Sequence, residues 1–286
     1  MHAVQKTISR PAGFSGIALH SGRAVQTRLV PLPEDSGIVF CRTDLDMCVK
    51  SATANVGDTR LATTLRDGKC EVSTVEHLLS ALSALGIDNL RVEVDGPELP
   101  IVDGSSAPWM LFLTDACGLS AQSAPRKIMR VKKEVVKTIN GGHARFSPPS
   151  GDGVRYTAHI DFPHAAVRRT GAKFSHVLSA DDYEEEVSRA RTFCYVNDVD
   201  DMRRHRLALG GSLNCAVVYD DTGVLNAEGL RYPDEFVRHK VLDAIGDCYI
   251  NGHFIAADYE AECPGHALNH ALVSALTADT DAWTWD

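Results

Sequence analysis

A polar stripe on a predicted helix is the first feature of the sequence with the residue types and spacing for chemistry. Residues 234–247, DEFVRHKVLDAIGD, place His239, Asp243 and Asp247 at intervals of four. At 100° per residue these side chains fall within a stripe about 80° wide, with Lys240 next to it. The apolar residues on the opposite side form the core face: Val237, Val241, Ala244, Ile245 and Cys248. An isolated His-x3-Asp pair is most often part of a solvated face, so the stripe alone does not predict a site.

Two other segments could complete a metal site. STVEHLL places Glu76 beside His77 near the start of a predicted helix, and PGHALNH places His266 where a turn leads into a helix. Catalytic zinc usually has three His, Asp or Glu ligands and leaves the fourth position for water. His239 and Asp243 supply two ligands from one helix, and His77 is a candidate for the third. Glu76 would then act on water, as in the H-E-x-x-H metalloproteases, although that motif is absent here.

The elements that position these residues indicate an α+β fold. Short strands are predicted up to residue 60, followed by a helix at 74–85, the strand NLRVEVDG and the helix SSAPWMLFLTDACGL with Pro108 in its first turn. Ser73 and Glu76 form a capping box for the first helix, and Gly86 ends it. Strands at 128–138, 143–147 and 154–161, a helix at 234–250, a strand near FIAADYEA and a last helix GHALNHALVSAL follow. With SAQSAP (120–125) as a linker, we expect two similar α+β domains at 1–122 and 127–280.

The composition is that of an ordinary globular protein. The 286 residues are 44% hydrophobic and 23% charged, with a net charge of −9, which argues against a nucleic-acid partner bound by bulk attraction. The one dense basic segment, RKIMRVKKEVVK (126–137), is interpreted as the solvated face of a strand. We expect no signal peptide, and no run approaches the roughly 18 apolar residues of a membrane span. The eight cysteines include no C-x2-C pair, so we expect free thiols in the cytoplasm rather than a disulfide framework.

Several segments together resemble the UDP-3-O-acyl-N-acetylglucosamine deacetylases of lipid A biosynthesis. They are, in order, VSTVEHLLSALSALGIDNLRVEVDGPELPIVDGSSAP, SRARTF, LALGGSL, VLNAEGLRYPDEFVRHKVLDAIGD and GHALN. The resemblance runs from about residue 5 to 276. It implies two α+β domains with the helices sandwiched between their sheets, and a zinc-dependent enzyme that removes the N-acetyl group from a UDP-linked acylated amino sugar.

The resemblance also implies roles for individual residues. The metal ligands would be His77, His239 and Asp243. Glu76 would be the general base, and His266 a general acid that Asp247 orients and keeps cationic. Thr192 would hydrogen-bond the oxyanion, and Lys240 would engage the substrate. Positions near the bound sugar nucleotide would be Phe193, Asp161, Phe162 and His164, and His20 would lie near the metal without binding it.

Some features stay open at the level of sequence. Where the family commonly has glycine, this chain has Cys194 and Arg206 beside the expected acyl passage, which leaves the preferred acyl length open. Val199 and Ala208 could line that passage or be ordinary core. A His2Asp site accepts iron(II) as well as zinc. We expect a monomer. The alternatives are a zinc amidohydrolase acting on another acylated sugar nucleotide and a non-catalytic binding module that uses the metal as a staple.

Overall fold

The computed structural model describes residues 4–151 and 153–286. In the first half the strands and helices are β1 (Val4–Ile8), β2 (Ala12–Ile17), β3 (Ala24–Pro31), β4 (Ile38–Arg42), β5 (Met47–Lys50), β6 (Leu65–Asp67), β7 (Cys70–Val72), α1 (Glu76–Leu85), β8 (Leu90–Val94), α2 (Ala107–Leu111) and β9 (Leu119–Pro125). In the second half they are β10 (Ile128–Val131), β11 (Val135–Ile139), β12 (Gly142–Ser147), β13 (Arg155–His159), α3 (Ala165–Arg168), β14 (Lys173–Val177), α4 (Ala180–Glu186), β15 (Phe193–Tyr195), α5 (Val196–Arg204), β16 (Val217–Tyr219), α6 (Glu235–Cys248), β17 (Phe254–Ala256), β18 (Asp258–Glu262), α7 (His266–Ala278) and β19 (Trp283–Trp285).

Two five-stranded sheets with the same topology form the framework. Their strand orders are β2-β3-β8-β4-β5 and β11-β12-β18-β13-β14. In each sheet two hairpins flank a later strand, which runs antiparallel to one hairpin and parallel to the other. This shared topology confirms the prediction of an α+β fold built from two similar sheet-and-helix units.

The helices that carry the polar stripe and the Glu-His pair pack against each other. Helix α1 contacts α6, while α6 also contacts β13 and β14, and α7 contacts β11 and β12. Nine of the ten residues of α1 are buried, so this helix is covered on several sides. Gly246 permits the close approach of α1 and α6, because a Cβ there would lie 2.1 Å from the carbonyl oxygen of Glu76.

The first turn of α1 differs from the prediction. The helix begins at Glu76 after Val75, which makes no side-chain cap hydrogen bond. The Ser73–Glu76 capping box is wrong: Ser73 Oγ accepts from Thr64 Oγ1, and the Glu76 carboxylate accepts from the backbone N–H of Thr63. Thr74 adopts a φ of +58°, which turns the chain away from a capping geometry. Gly86 ends the helix in the left-handed conformation, as predicted.

The structure differs from two further expectations. Residues 119–125, which include the predicted linker, form β9 and pair with β1. Cys41 and Cys48 are joined by a disulfide, so the expectation of free thiols is wrong for this pair, because they lie directly opposite each other on β4 and β5. The other six cysteines are free.

One prediction about the surface is borne out. The basic segment supplies exposed side chains to β10, β11 and the turn between them, as expected of a solvated strand face. Within residues 4–151 and 153–286, no helix is long and apolar enough to cross a membrane.

Candidate metal centre and active site

The contact between α1 and α6 brings together the three predicted metal ligands. His77 comes from α1, and His239 and Asp243 come from successive turns of α6. Asp243 Oδ1 lies 3.4 Å from His239 Nε2 and 3.9 Å from His77 Nε2. One donor atom from each residue lies within 4.8 Å of the others. All three side chains are buried.

The donor atoms fit a divalent metal ion. Asp243 Oδ1 is buried and has no hydrogen-bond partner among the described residues, which is costly for a carboxylate oxygen unless a ligand such as a cation satisfies it. His239 Nδ1 lies 3.0 Å from the carbonyl oxygen of Ala190. Because that oxygen can only accept, Nδ1 carries the proton and the lone pair on Nε2 points towards Asp243.

The protonation states of the three side chains also favour metal binding. Burial lowers the pKa of His77 to about 3, with a further contribution from His239, and burial lowers the pKa of His239 as well. Both imidazoles are therefore neutral, which is the form that binds metals. Burial alone would raise the pKa of Asp243, but the Lys240 ammonium beside it holds this pKa well below its usual range. Lys240 Nζ donates to Asp243 Oδ2 at 2.6 Å.

A carboxylate and a cationic imidazole flank the cluster. Glu76 Oε1 and His266 Nε2 are 3.9 Å apart. Burial raises the pKa of Glu76 to about 7, although the charge of His266 opposes this shift. Burial alone would lower the pKa of His266, but Asp247, which accepts from its Nδ1 at 2.9 Å, raises this pKa to about 9. Between these values Glu76 can accept a proton while His266 can donate one.

Asp247 is held by four polar side chains. Its Oδ2 accepts from His266 Nδ1 and, at 2.8 Å, from Asn269 Nδ2. Its Oδ1 accepts from Thr63 Oγ1 at 2.6 Å and lies 3.2 Å from His270 Nε2. The sequence predicts no role for Asn269, His270 or Thr63. The first two could have been found from their i+3 and i+4 spacing to His266 on α7, whereas no sequence pattern indicates Thr63.

Several predicted substrate residues line one cavity of about 660 Å³ next to the cluster. The predicted substrate and active-site residues that line it are His20, Phe162, Thr192, Phe193 and Lys240. The residues predicted at the acyl passage that line it are Cys194, Val199 and Ala208.

Three of the predicted positions lie elsewhere. Asp161 is exposed and pairs with Arg168 at 3.2 Å. The His164 ring stacks on Tyr195, with centroids 4.1 Å apart. Arg206 is exposed at a φ of +58°, a conformation that glycine adopts without steric cost.

Buried ion pairs and hydrogen bonds fix the loops that carry His20 and Thr192. The buried Glu98 accepts from the backbone N–H of His20 at 2.7 Å and from Thr74 Oγ1 at 3.1 Å. His20 Nε2 is buried without a hydrogen-bond partner among the described residues, and burial lowers its pKa despite the opposing charge of Glu98. Arg191, which precedes Thr192, is 1% exposed and pairs with Glu235 at the start of α6 at 2.9 Å.

Two neutral imidazoles and a carboxylate that can hold a metal, with a proton acceptor and a proton donor beside them, form the kind of centre that metal-dependent hydrolases use. The sequence profile of the UDP-3-O-acyl N-acetylglycosamine deacetylases matches residues 5–278, and the chain belongs to that family. The family implies a metal ion, in agreement with the His-His-Asp cluster.

Relatives of known name agree with this membership. The chain is 46% identical over 285 residues to the UDP-3-O-acyl-N-acetylglucosamine deacetylase of Neisseria meningitidis serogroup C / serotype 2a. It is 45% identical to the enzyme of that name from Pseudomonas entomophila and 44% identical to that from Hahella chejuensis, each over 281 residues. Each comparison covers 98% of this chain and 92% of the relative.

Proposed function

We propose that the chain hydrolyses the N-acetyl amide of UDP-3-O-acyl-N-acetylglucosamine, releasing acetate and UDP-3-O-acyl-glucosamine, as a step of lipid A (lipopolysaccharide) biosynthesis. The names and coverage of the relatives support this substrate. The observation that carries the chemistry is the bare Oδ1 of Asp243, which faces two neutral imidazoles beside Glu76 and His266.

The proposed cofactor is zinc, held by His77, His239 and Asp243. A zinc ion bound there would supply Lewis acidity, which polarises the amide carbonyl and lowers the pKa of water. Lys240 holds Asp243 by its second oxygen, and Ala190 fixes the ring of His239. Because iron(II) accepts the same ligands, it is the alternative metal in the cell.

Glu76 is the proposed general base. Its Oε2 accepts from the backbone N–H of Thr63 at 3.0 Å, which leaves Oε1 on the side of His266. A carboxylate with a pKa of about 7 is ionised in a large fraction of molecules at neutral pH and still accepts a proton from the attacking water.

His266 is the proposed general acid. Asp247 binds its Nδ1, so the second N–H of the cation, at Nε2, is on the side of Glu76. The amide nitrogen is a poor leaving group unless it is protonated, and the His266 cation can deliver that proton as the C–N bond breaks.

The cavity supplies the proposed substrate contacts. Thr192 would donate its hydroxyl to the developing oxyanion, and Lys240, which lines the same cavity, would contact the substrate. Phe162 and Phe193, whose rings pack edge to face with centroids 5.4 Å apart, offer apolar surface to the sugar nucleotide.

The other substrate assignments extend from the same cavity. Asp161 and His164 do not line the cavity but are close in sequence to Phe162, which does, and they remain proposed contacts of the sugar nucleotide. His20 remains a proposed residue beside the metal. The apolar part of the cavity, which includes Val199 and Ala208, would take the acyl chain.

The direct test is acetate release from UDP-3-O-acyl-N-acetylglucosamine by the purified protein, with zinc content measured in parallel. Zinc-dependent turnover supports the proposal. Bound zinc without acetate release would favour the metal staple, and turnover only on a different acylated sugar nucleotide would favour the other amidohydrolase. We propose that the enzyme lies in the cytoplasm: six of the eight cysteines are free, and only Cys41 and Cys48 are paired. Cell fractionation tests this.

A further inference from the structure

Thr63 contacts both carboxylates of the proposed acid–base machinery. Its backbone N–H donates to Glu76 Oε2 at 3.0 Å, and its hydroxyl donates to Asp247 Oδ1 at 2.6 Å. The residue is 0% exposed. One residue therefore connects the proposed base to the partner of the proposed acid, although 184 positions separate Thr63 from Asp247.

The hydrogen bonds around the Thr63 hydroxyl have a single consistent direction. Asp247 is ionised: burial alone would raise its pKa, but His266 and His270 hold the pKa well below its usual range. An ionised carboxylate only accepts, so the single hydroxyl proton of Thr63 goes to Asp247. The Nε2 of His270 lies 2.8 Å from Thr63 Oγ1 and 3.2 Å from Asp247 Oδ1. Both oxygens are left only to accept from it, so this nitrogen must be the donor. This assigns a proton to Nε2 of His270.

The backbone of Thr63 is fastened to the start of α1. The Thr63 carbonyl oxygen accepts from Val75 N, the residue before Glu76, at 3.4 Å. The adjacent Thr64 hydroxyl donates to Ser73 Oγ at 2.8 Å. The backbone of Thr63 is therefore bound to the start of α1, and its side chain to α6 and α7 through Asp247 and His270.

We propose that Thr63 is a positioning residue that sets the placement of Glu76 relative to His266, and that His270 orients its hydroxyl for this task. The inference rests on the proposed function, in which Glu76 and His266 act on opposite sides of one amide. Proton transfer at both places requires hydrogen-bond distances, and a misplacement of about 1 Å can cost on the order of 100-fold in rate. Without the hydroxyl, Asp247 Oδ1 loses its shortest contact, and the carboxylate can rotate and carry the His266 ring with it.

The test compares Thr63→Val, which keeps the branched shape and removes the hydroxyl, with Thr63→Ser, which keeps the hydroxyl. We expect Thr63→Val to lower kcat by about 10- to 100-fold, with KM and zinc content close to wild type. Thr63→Ser should retain most of the wild-type kcat. Thr157→Val is the matched control, because it removes a buried threonine hydroxyl that bonds Ser175 on β14 at 2.9 Å. If Thr63→Val does not fold, Thr63→Ala is the second variant for the same comparison.

A double-mutant cycle separates positioning from plain structural support. In a His266→Ala background the acid is already absent, so Thr63→Val should reduce kcat by much less than it does in the wild type. The same fold reduction in both backgrounds would overturn the proposal, as would wild-type kcat in Thr63→Val or a defect confined to zinc content.

Nitrogen-15 NMR of the histidine side chains tests the hydrogen-bond directions without reference to activity. We expect a proton on Nε2 of His270, assigned by its loss in His270→Gln. A His270 ring with a bare Nε2 would overturn the assignment. If the wild-type protein binds zinc but releases no acetate, the proposed function fails, and the NMR result still decides whether Thr63 is held as inferred.

Discussion

Replacement of Gly246 by alanine tests how closely α1 and α6 must approach to form the metal centre. A Cβ at this position would lie 2.1 Å from the carbonyl oxygen of Glu76 and 2.9 Å from its carbonyl carbon. Raising the first distance to 3.0 Å, below which real Cβ contacts essentially do not occur, requires about 0.9 Å of separation between the helices. The atoms nearest to this Cβ are backbone atoms of Glu76. No flexible side chain can therefore move aside to relieve the contact.

That separation is large on the scale of metal coordination. His77 follows Glu76 directly on α1, whereas His239 and Asp243 lie on α6. Zinc–ligand distances are held within about 0.2 Å of their usual values, so a shift of this size distorts the site while leaving every ligand in place. We expect zinc affinity to fall at least about tenfold, which corresponds to about 1.4 kcal/mol. The cost of forcing extra atoms into a packed interior is typically about 1–3 kcal/mol.

The direction of the change in Tm distinguishes the steric effect of the new Cβ from the helix propensity of alanine. In a helix interior alanine is favoured over glycine by about 1 kcal/mol, so propensity alone predicts a higher Tm for Gly246→Ala. We expect a lower Tm for the metal-free protein and weaker zinc retention against a chelator. The control is Gly223→Ala, where a Cβ meets nothing within 4 Å. A higher Tm together with wild-type zinc affinity would refute the reasoning.

Three other predictions follow from the site. His239→Ala should lose most bound zinc, whereas His205→Ala, which changes an exposed histidine, should keep it; full zinc stoichiometry in His239→Ala would contradict the ligand assignment. Glu76→Ala should keep zinc and lose about 100-fold or more in turnover, and zinc loss instead would identify Glu76 as a ligand. Activity should rise with pH as Glu76 ionises, with a pKa of about 7, and fall as His266 loses its proton, with a pKa of about 9. Because Asp247 raises the pKa of His266, Asp247→Asn should move the alkaline limb to lower pH, and a limb that stays in place would mean that Asp247 does not act through His266.

The parts of the site set by helix geometry could be predicted from the sequence. His239 and Asp243 are one turn apart on an amphipathic helix, so their side chains face the same way wherever that helix packs. The spacing within α6 could not supply a third ligand; the Glu76–His77 pair near the start of another predicted helix offered His77 as a candidate, and the resemblance implied the same residue. The end of α1 at Gly86 could also be predicted, because a helix that ends in the left-handed conformation favours glycine.

Tertiary contacts determined what the sequence could not show. The Ser73–Glu76 pattern matches a capping box, but Thr63 and Thr64 satisfy these side chains from a neighbouring loop. Cys41 and Cys48 meet because of the register of β4 and β5, which the spacing of cysteines alone does not determine. Thr63 is the clearest case, since its partners Asp247 and His270 lie 184 and 207 positions away.

Because the site is divided between the two halves of the chain, we expect Gly246 and Thr63 to affect it although neither is a metal ligand. The metal cluster takes His77 from α1 and its other ligands from α6, and the acid–base pair takes Glu76 from α1 and His266 from α7. The metal cluster spans the contact between α1 and α6, and the acid–base pair joins α1 to α7, which also packs on α6. Neither half of the chain contains a complete set. A ligand substitution removes one function and leaves the other geometry intact. A change that displaces α1 from α6 alters both together, so Gly246→Ala should weaken zinc binding and also lower turnover in the protein that still holds zinc. Thr63→Val should affect turnover alone, because the hydrogen-bond partners of its hydroxyl are Asp247 and His270 and not the three ligands.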